Sequence, residues 1–189
     1  MGNVISPDYL AKKYGADTVR YFILRNISFG NDGDFSEQAL KDRHNNELAN
    51  KLGNLVSRVA GLCKGKIPKG KIDEKLASEL KLTEITNHLN SYAPDMALNE
   101  LFTFIDKCNE YVQEKQAWKL EGKEKDNVLY SLVDSIRIIS ILLWPFMPET
   151  AEKINEQFSF SKPTIANVKF GLAKSGKIKK AEILFQKLE

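Results

Sequence analysis

Asn46, Asn50, Asn54 and Arg58 recur every fourth residue within the stretch Ser36 to Lys64. An amide offers donors and an acceptor, and a guanidinium offers donors in a fixed fork, so the row suits hydrogen-bonded recognition. Asn is a middling-to-poor helix former, and Glu or Lys would solvate such a face more favourably. Spacing alone leaves two readings open: a surface selected for hydrogen bonding, and a solvated stripe whose amides are satisfied by neighbouring backbone. Trp118, in Gln116-Ala117-Trp118-Lys119-Leu120, poses the same kind of question. A tryptophan near a helix end either anchors core packing or offers its ring as a stacking platform.

The remaining chemistry-bearing residues assemble no complete active site. Cys63 and Cys108 lie far apart, outside any paired metal-ligand spacing, in apolar helical segments that predict buried thiols. His44 and His88 have no partner constellation, and there is no Gly-rich phosphate loop, HExxH or nucleophile elbow. Lys plus Arg number 28 against 25 Asp plus Glu, and a net charge of +3 is too small an excess to argue for nonspecific polyanion binding. No apolar run approaches the ~20 residues that span a bilayer, and the N-terminus lacks a signal-peptide core. A cytoplasmic protein with no membrane partner is expected.

The elements that would position these residues read as helices. Leu48, Leu52, Leu55, Val59 and Leu62 fall on one face of a long helix capped by Ser36, with the Asn row turned away from that seam. Before it, Ser6-Pro7 starts a short helix that Gly15 ends, and Asp17 opens a second whose Val19, Phe22 and Ile23 point inward. Residues Ser28 to Phe35, dense in Gly, Asn and Asp, predict a tight turn. After it, five lysines between Lys64 and Lys75 form a basic loop that either meets phosphate backbone or is simply solvated. Further helices are expected from Asp73 to about Tyr92, from Pro94 to about Lys115, from Asp126 or Asn127 to the Trp144-Pro145-Phe146-Met147-Pro148 stop, and from Pro148 to about Phe158. The fold class is all-α: an antiparallel helix bundle over 36–158, preceded by a junction segment (1–35) and followed by an irregular or extended tail (159–189) that packs back on the bundle.

Several of these stretches together resemble the C-terminal, anticodon-binding region of the methionyl-tRNA synthetase family, a class I aminoacyl-tRNA synthetase. Met1 to Pro7 is similar to the segment following that class's KMSKS signature, which is itself absent. Gly15-Ala16-Asp17, Val19-Arg20-Tyr21 and Phe29 to Phe35 are similar to the junction between catalytic core and bundle. Asn45 to Arg58, Asn109 with Tyr111, Trp118, Pro145 to Pro148, and Gly171 to Phe185 continue the match over essentially the whole chain. The opening segment and Pro145 to Pro148 identify only the class; the turn, the Asn-rich helix and Asn109 to Trp118 favour the methionine enzyme.

The resemblance implies a reader of the CAU anticodon of tRNA(Met), with Asn54 and Arg58 meeting base edges, Trp118 stacking on the first base, the cytosine, and Asn50 supporting them. It implies no catalytic residue, cofactor or metal in this chain; ATP, and zinc if present, belong to a catalytic domain or subunit that is the second partner, so the chain alone is expected to be inactive. In the family proline usually precedes the tryptophan. Here Ala117 does, which puts the pre-organisation of the ring in question. Arg20, Arg25 and the lysine loop are weaker candidates for contacts with RNA backbone. Two alternatives stand beside this reading: a noncatalytic helical module that docks a protein partner, and the anticodon domain of an isoleucine or leucine enzyme.

Overall fold

The computed structural model describes residues 5–33, 35–162, 164–179 and 183–189. Among the described residues the regular elements are all helices, joined by turns and irregular segments, with one isolated antiparallel bridge, between Lys66 and Lys177. The expected residues Met1 to Val4, and Asp34 of the junction turn, lie outside the described set.

Two long helices form the centre, α7 (Pro94–Glu114) and α8 (Gly122–Leu143). Leu98, Leu101, Ile105, Cys108 and Val112 of α7 are buried at helical spacing, as are Leu129, Leu132, Val133, Ile136, Ile139 and Leu143 of α8. Both cysteines are free and buried, and burial pushes their thiols up to about 12. Around this pair pack α2 (Ala16–Asn26), α4 (Asn54–Leu62), α5 (Glu74–Ser78), α6 (Leu82–Asn90) and α9 (Pro148–Phe158). A second, smaller cluster joins α1 (Pro7–Tyr14), α2 and α3 (Glu37–Arg43) through Leu10, Tyr14, Val19, Phe22 and Leu40. No helix among the described residues is long and apolar enough to cross a membrane.

The long helix is present but not uniform. Ser36 caps it, its hydroxyl accepting the Ala39 N–H at 3.2 Å, as expected. Between α3 and α4, His44–Gly53 is a π-helix, with right-handed dihedrals unbroken at Arg43, His44, Gly53 and Asn54. In this i→i+5 geometry each hydrogen bond closes over one residue more than in the α-helix, and residues four apart lie close to one line. Gly53 marks the crowding: a Cβ there would lie 3.2 Å from Leu48 O.

Four expectations about elements need correction. The helix expected from Asp73 to Tyr92 is two, because Lys81, with ψ of 59°, leaves the helical region; Leu76 and Ile85 are buried, while Leu89 stays 41% exposed. Helix α8 starts at Gly122 rather than Asp126 or Asn127, and the Asn127 amide instead accepts the Lys71 N–H at 2.9 Å. Helix α2 starts at Ala16, and the Asp17 carboxylate, buried, accepts the Thr150 N–H of α9 at 2.7 Å, stabilising another helix's N-terminus. Ile23 is 42% exposed, and Tyr21 takes the inward place beside Val19 and Phe22.

The tail lies against α8 and the π-helix. On α8, buried Asp134 and Arg137 pair at 2.7 Å; Arg137 donates to Asn167 O at 2.7 Å and to Lys169 O, while Asp134 accepts the Gly171 and Ala173 N–H groups. Further on, the Asn45 amide clasps Leu188, donating to its carbonyl at 2.9 Å and accepting its N–H at 2.8 Å. His44 Nε2 donates to Gln186 O at 2.8 Å, so Nδ1 is left to accept from the Thr18 hydroxyl. Burial holds His44 below the usual histidine value, partly opposed by the Gln186 carbonyl.

Candidate nucleic-acid interface

On the π-helix and α4, Asn46, Asn50 and Asn54 are exposed and Arg58 is half-buried, on the side away from Leu52, Leu55, Val56 and Val59, which are fully buried. The side chains of Asn50, Asn54 and Arg58 make no hydrogen bond or ion pair among the described residues. Asn45, on the same rod, is engaged by Leu188. A row of amides followed by a guanidinium, held by a buried seam and left unpartnered, presents donors and acceptors at fixed spacing.

Trp118 is 48% exposed, whereas Ala117 is fully buried, which excludes the core-anchor reading of the indole. The end of α7 explains this division. Gln116 takes a left-handed conformation (φ 46°) and its N–H donates to Gln113 O at 3.1 Å, while the Ala117 N–H reaches Val112 O at 3.3 Å. This pair of bonds is a Schellman closure, with Ala117 and Val112 supplying the apolar contact that accompanies it. Proline at 117 has no N–H and could not make the second bond. The departure from the family pattern thus exchanges a stiff ring for a hydrogen bond, and the segment delivering Trp118 stays fixed.

The neighbourhood of that segment is braced. The Tyr111 hydroxyl donates to Asp73 at 2.9 Å, and Lys115 lies 3.5 Å from the same carboxylate and over the Tyr111 ring. Burial raises the Asp73 value, but the Tyr111 hydroxyl and the N–H groups of Lys75 and Leu76 outweigh it and hold the carboxyl below its usual range. Burial and the Asp73 acceptor both push the Tyr111 phenol up.

One contact was not legible beforehand. The Asn109 amide donates to Lys51 O at 3.2 Å and to Ile105 O at 3.1 Å, and one turn away Asp106 binds the Lys51 ammonium at 2.6 Å. Lys51 lies in the last turn of the π-helix, which ends at Gly53, so α7 holds this end of it by both the Lys51 carbonyl and its side chain. Asn54 follows Lys51 by three residues and Trp118 follows Asn109 by nine. The bond therefore ties together the two elements that carry the candidate residues. The one available signal was Gly53, a glycine inside an otherwise helical pattern.

Arg20 and Arg25 are engaged in the fold instead of standing free for backbone contacts. Arg20 donates to Phe146 O at 3.1 Å and Pro145 O at 3.0 Å; Arg25 donates to Asn99 at 3.0 Å and approaches Glu47 at 3.7 Å.

Comparison with known proteins gives this geometry a context. The family described as tRNA synthetases class I (M) matches residues 1–60. The sequence is 36% identical to methionine-tRNA ligase of Caldanaerobacter subterraneus subsp. tengcongensis and 35% identical to that of Thermotoga maritima, in both over 100% of this chain, against 32% and 33% of the relatives' lengths. The chain thus spans about a third of these curated relatives. Its fold is similar to the apo form of Mycobacterium tuberculosis methionyl-tRNA synthetase, with a TM-score of 0.88, 29% identity, and coverage of 100% of this chain and 42% of that one. The same enzyme bound by methionyl-adenylate gives a TM-score of 0.89 at 30% identity, covering 98% and 40%. The family described as the anticodon-binding domain of tRNA ligase matches residues 76–187, more than half of the chain, and the protein belongs to that family.

Proposed function

We propose that this chain recognises the CAU anticodon of tRNA(Met) for a methionine-tRNA ligase, working in the cytoplasm. Asn54 and Arg58 meet the pairing edges of anticodon bases, Trp118 stacks on the first of them, and Asn50 supports the row. Base stacking on an aromatic ring contributes ~1 to 3 kcal/mol and tolerates any base, so discrimination falls to the amide and guanidinium donors. The observation that carries this reading is the half-exposed Trp118 ring, fixed at the end of α7, with unpartnered Asn54 and Arg58 on the adjoining helix. Methionine, rather than isoleucine or leucine, is supported by the relatives named above. ATP-dependent adenylation and transfer, with any zinc, fall to a separate catalytic part; base contacts here orient the tRNA so that its acceptor end reaches that part.

The test is titration of a CAU anticodon stem-loop against the same loop with its first base changed. Trp144 is also about half exposed, so Trp144→Phe isolates the Trp118 fluorescence. Preference for CAU, lost on Arg58→Ala, is the expected outcome. Equal binding of the two loops overturns anticodon reading.

A further inference from the structure

The lysine loop after α4 and the turn around Gly176 are distant in sequence and adjacent in space. The Ile67 N–H donates to Gly176 O at 2.9 Å and the Ile178 N–H donates to Gly65 O at 2.9 Å, which sets Lys66 directly opposite Lys177 in the antiparallel bridge. With this bonding the opposed residues form the non-hydrogen-bonded pair, the one whose side chains approach more closely. Ile67 and Ile178 turn into the core, so the alternation of extended chain turns both lysines outward. Like charges directly opposite each other destabilise a strand pair. Neither lysine has a carboxylate partner among the described residues. Lys64, Lys69, Lys71 and Lys174 are exposed along the same two segments.

These lysines stand on fixed backbone. A Cβ on Gly70 would lie 2.7 Å from Asp126 O and 2.7 Å from Tyr130 Cβ, so the loop rests hard against α8 and only glycine fits there. Asn127 accepts the Lys71 N–H at 2.9 Å, and the Ser131 hydroxyl accepts the Asp73 N–H at 2.9 Å. The Asp73 carboxylate, next along the loop, is taken by Tyr111 and Lys115. The ribbon is also continuous with the α4 face: from Arg58 to the last residue of the helix, Leu62, the rise is about 6 Å.

We infer that the paired segments around Lys66 and Lys177 form a docking surface for RNA sugar-phosphate backbone, gripping the strand whose bases meet Asn54, Arg58 and Trp118. Phosphates supply the negative charge that the bridge lacks, and their counterions are released on binding. The inference takes its partner from the RNA reading above and adds a place and a charge mechanism to it.

The test measures anisotropy of a labelled CAU stem-loop, and of the first-base variant, against salt concentration. The wild-type chain is compared with Lys66→Gln/Lys177→Gln. Each phosphate contact contributes a slope of ~0.7 to 0.9 in log affinity against log salt, so the double variant should lose between one and two units of slope. Between about 50 and 200 mM salt it should then give up roughly tenfold less affinity than wild type. The ratio of CAU to variant-loop binding should not change, and the RNA-free double variant should unfold at an equal or higher temperature, since a repulsion is removed. Should that variant fail to fold, Lys64→Gln/Lys69→Gln, which leaves the bridge pair intact, should show the same loss of slope. An unchanged slope in a folded variant, or no binding by wild type at low salt, overturns the inference. CAU preference with an unchanged slope refutes the ribbon alone; a lysine-dependent slope without CAU preference refutes the anticodon reading alone.

Discussion

Asp134 with Arg137 on α8, and Asn54 with Arg58 on α4, are both pairs of a short polar residue and an arginine within one helical turn. On α8 the pair is buried, and among the described residues its side chains bond each other and the tail: the carbonyls of Asn167 and Lys169 and the N–H groups of Gly171 and Ala173. On α4 the pair faces outward and has no partner among the described residues. The first arrangement closes the fold, since burying a charge is tolerable only when it is paired and hydrogen-bonded. The second leaves hydrogen-bonding capacity for another molecule, at little consequence for stability. The contrast is one of burial and partners; the residue types are nearly the same.

The comparison can be broken most forcefully on α8. Asp134→Ala should lower unfolding free energy by ~3 to 5 kcal/mol, because it strands a buried guanidinium and two main-chain donors. Denaturant titration reads this, and wild-type stability in the variant would refute the assigned role. On α4 and beyond α7, Arg58→Ala and Trp118→Ala should each weaken CAU stem-loop binding by ~1 to 3 kcal/mol while leaving stability within ~0.5 kcal/mol. A large loss of stability in either would place it with the α8 pair. Asn109→Asp sharpens the contrast from between: the carboxylate keeps the volume but cannot donate to Lys51 O or Ile105 O. We expect ~1 to 2 kcal/mol of destabilisation together with blunted CAU preference, checked by unfolding and by the two-loop titration.

A pH experiment separates the tail's two attachments. His44 is held below the ordinary value of 6.5, so between its folded value and 6.5 the unfolded chain binds more protons than the folded one. Stability is therefore full above about 6.5 and falls as pH is lowered through that region. His44→Gln should flatten this part of the urea-midpoint profile, and an identical profile in the variant would refute it. The smallest effect is expected at Gln116, whose left-handed φ of 46° glycine adopts without strain. Gln116→Gly should stabilise by up to ~1 kcal/mol in thermal unfolding, provided the closure at Ala117 persists.

The α4 row was legible because asparagine is a poor helix former whose regular recurrence demands a reason, and because Leu48 to Leu62 fixed which way the row faces. The order of helices and their proline starts at Pro7, Pro94 and Pro148 followed from local chemistry. Asp134 and Arg137 gave no such signal: within an apolar run, two charges three apart look like any surface pair, and their partners are main-chain groups about 30 to 39 residues away. Asp17 and Asn127 misled for a related reason. Both are good helix starters, and both direct their side chains at another element instead. The exposure of Trp118, which the resemblance implied, was out of reach of residue spacing alone, since it depends on a cap made without glycine at Gln116 and Ala117.

The clasp on the π-helix has a consequence in time. The partners of His44 and Asn45 are the main-chain groups of Gln186 and Leu188, 142 and 143 residues later in the chain. A ribosome adding about 5 to 20 residues per second needs roughly 7 to 30 s to make that interval. By about the middle of it α4 and α7 have been made and can join through Lys51 and Asn109, while the start of the π-helix still lacks its final covering. The α4–α7 contact can thus form before the tail is made, and the later contacts of Gln186 and Leu188 seal the side facing α1 and α2.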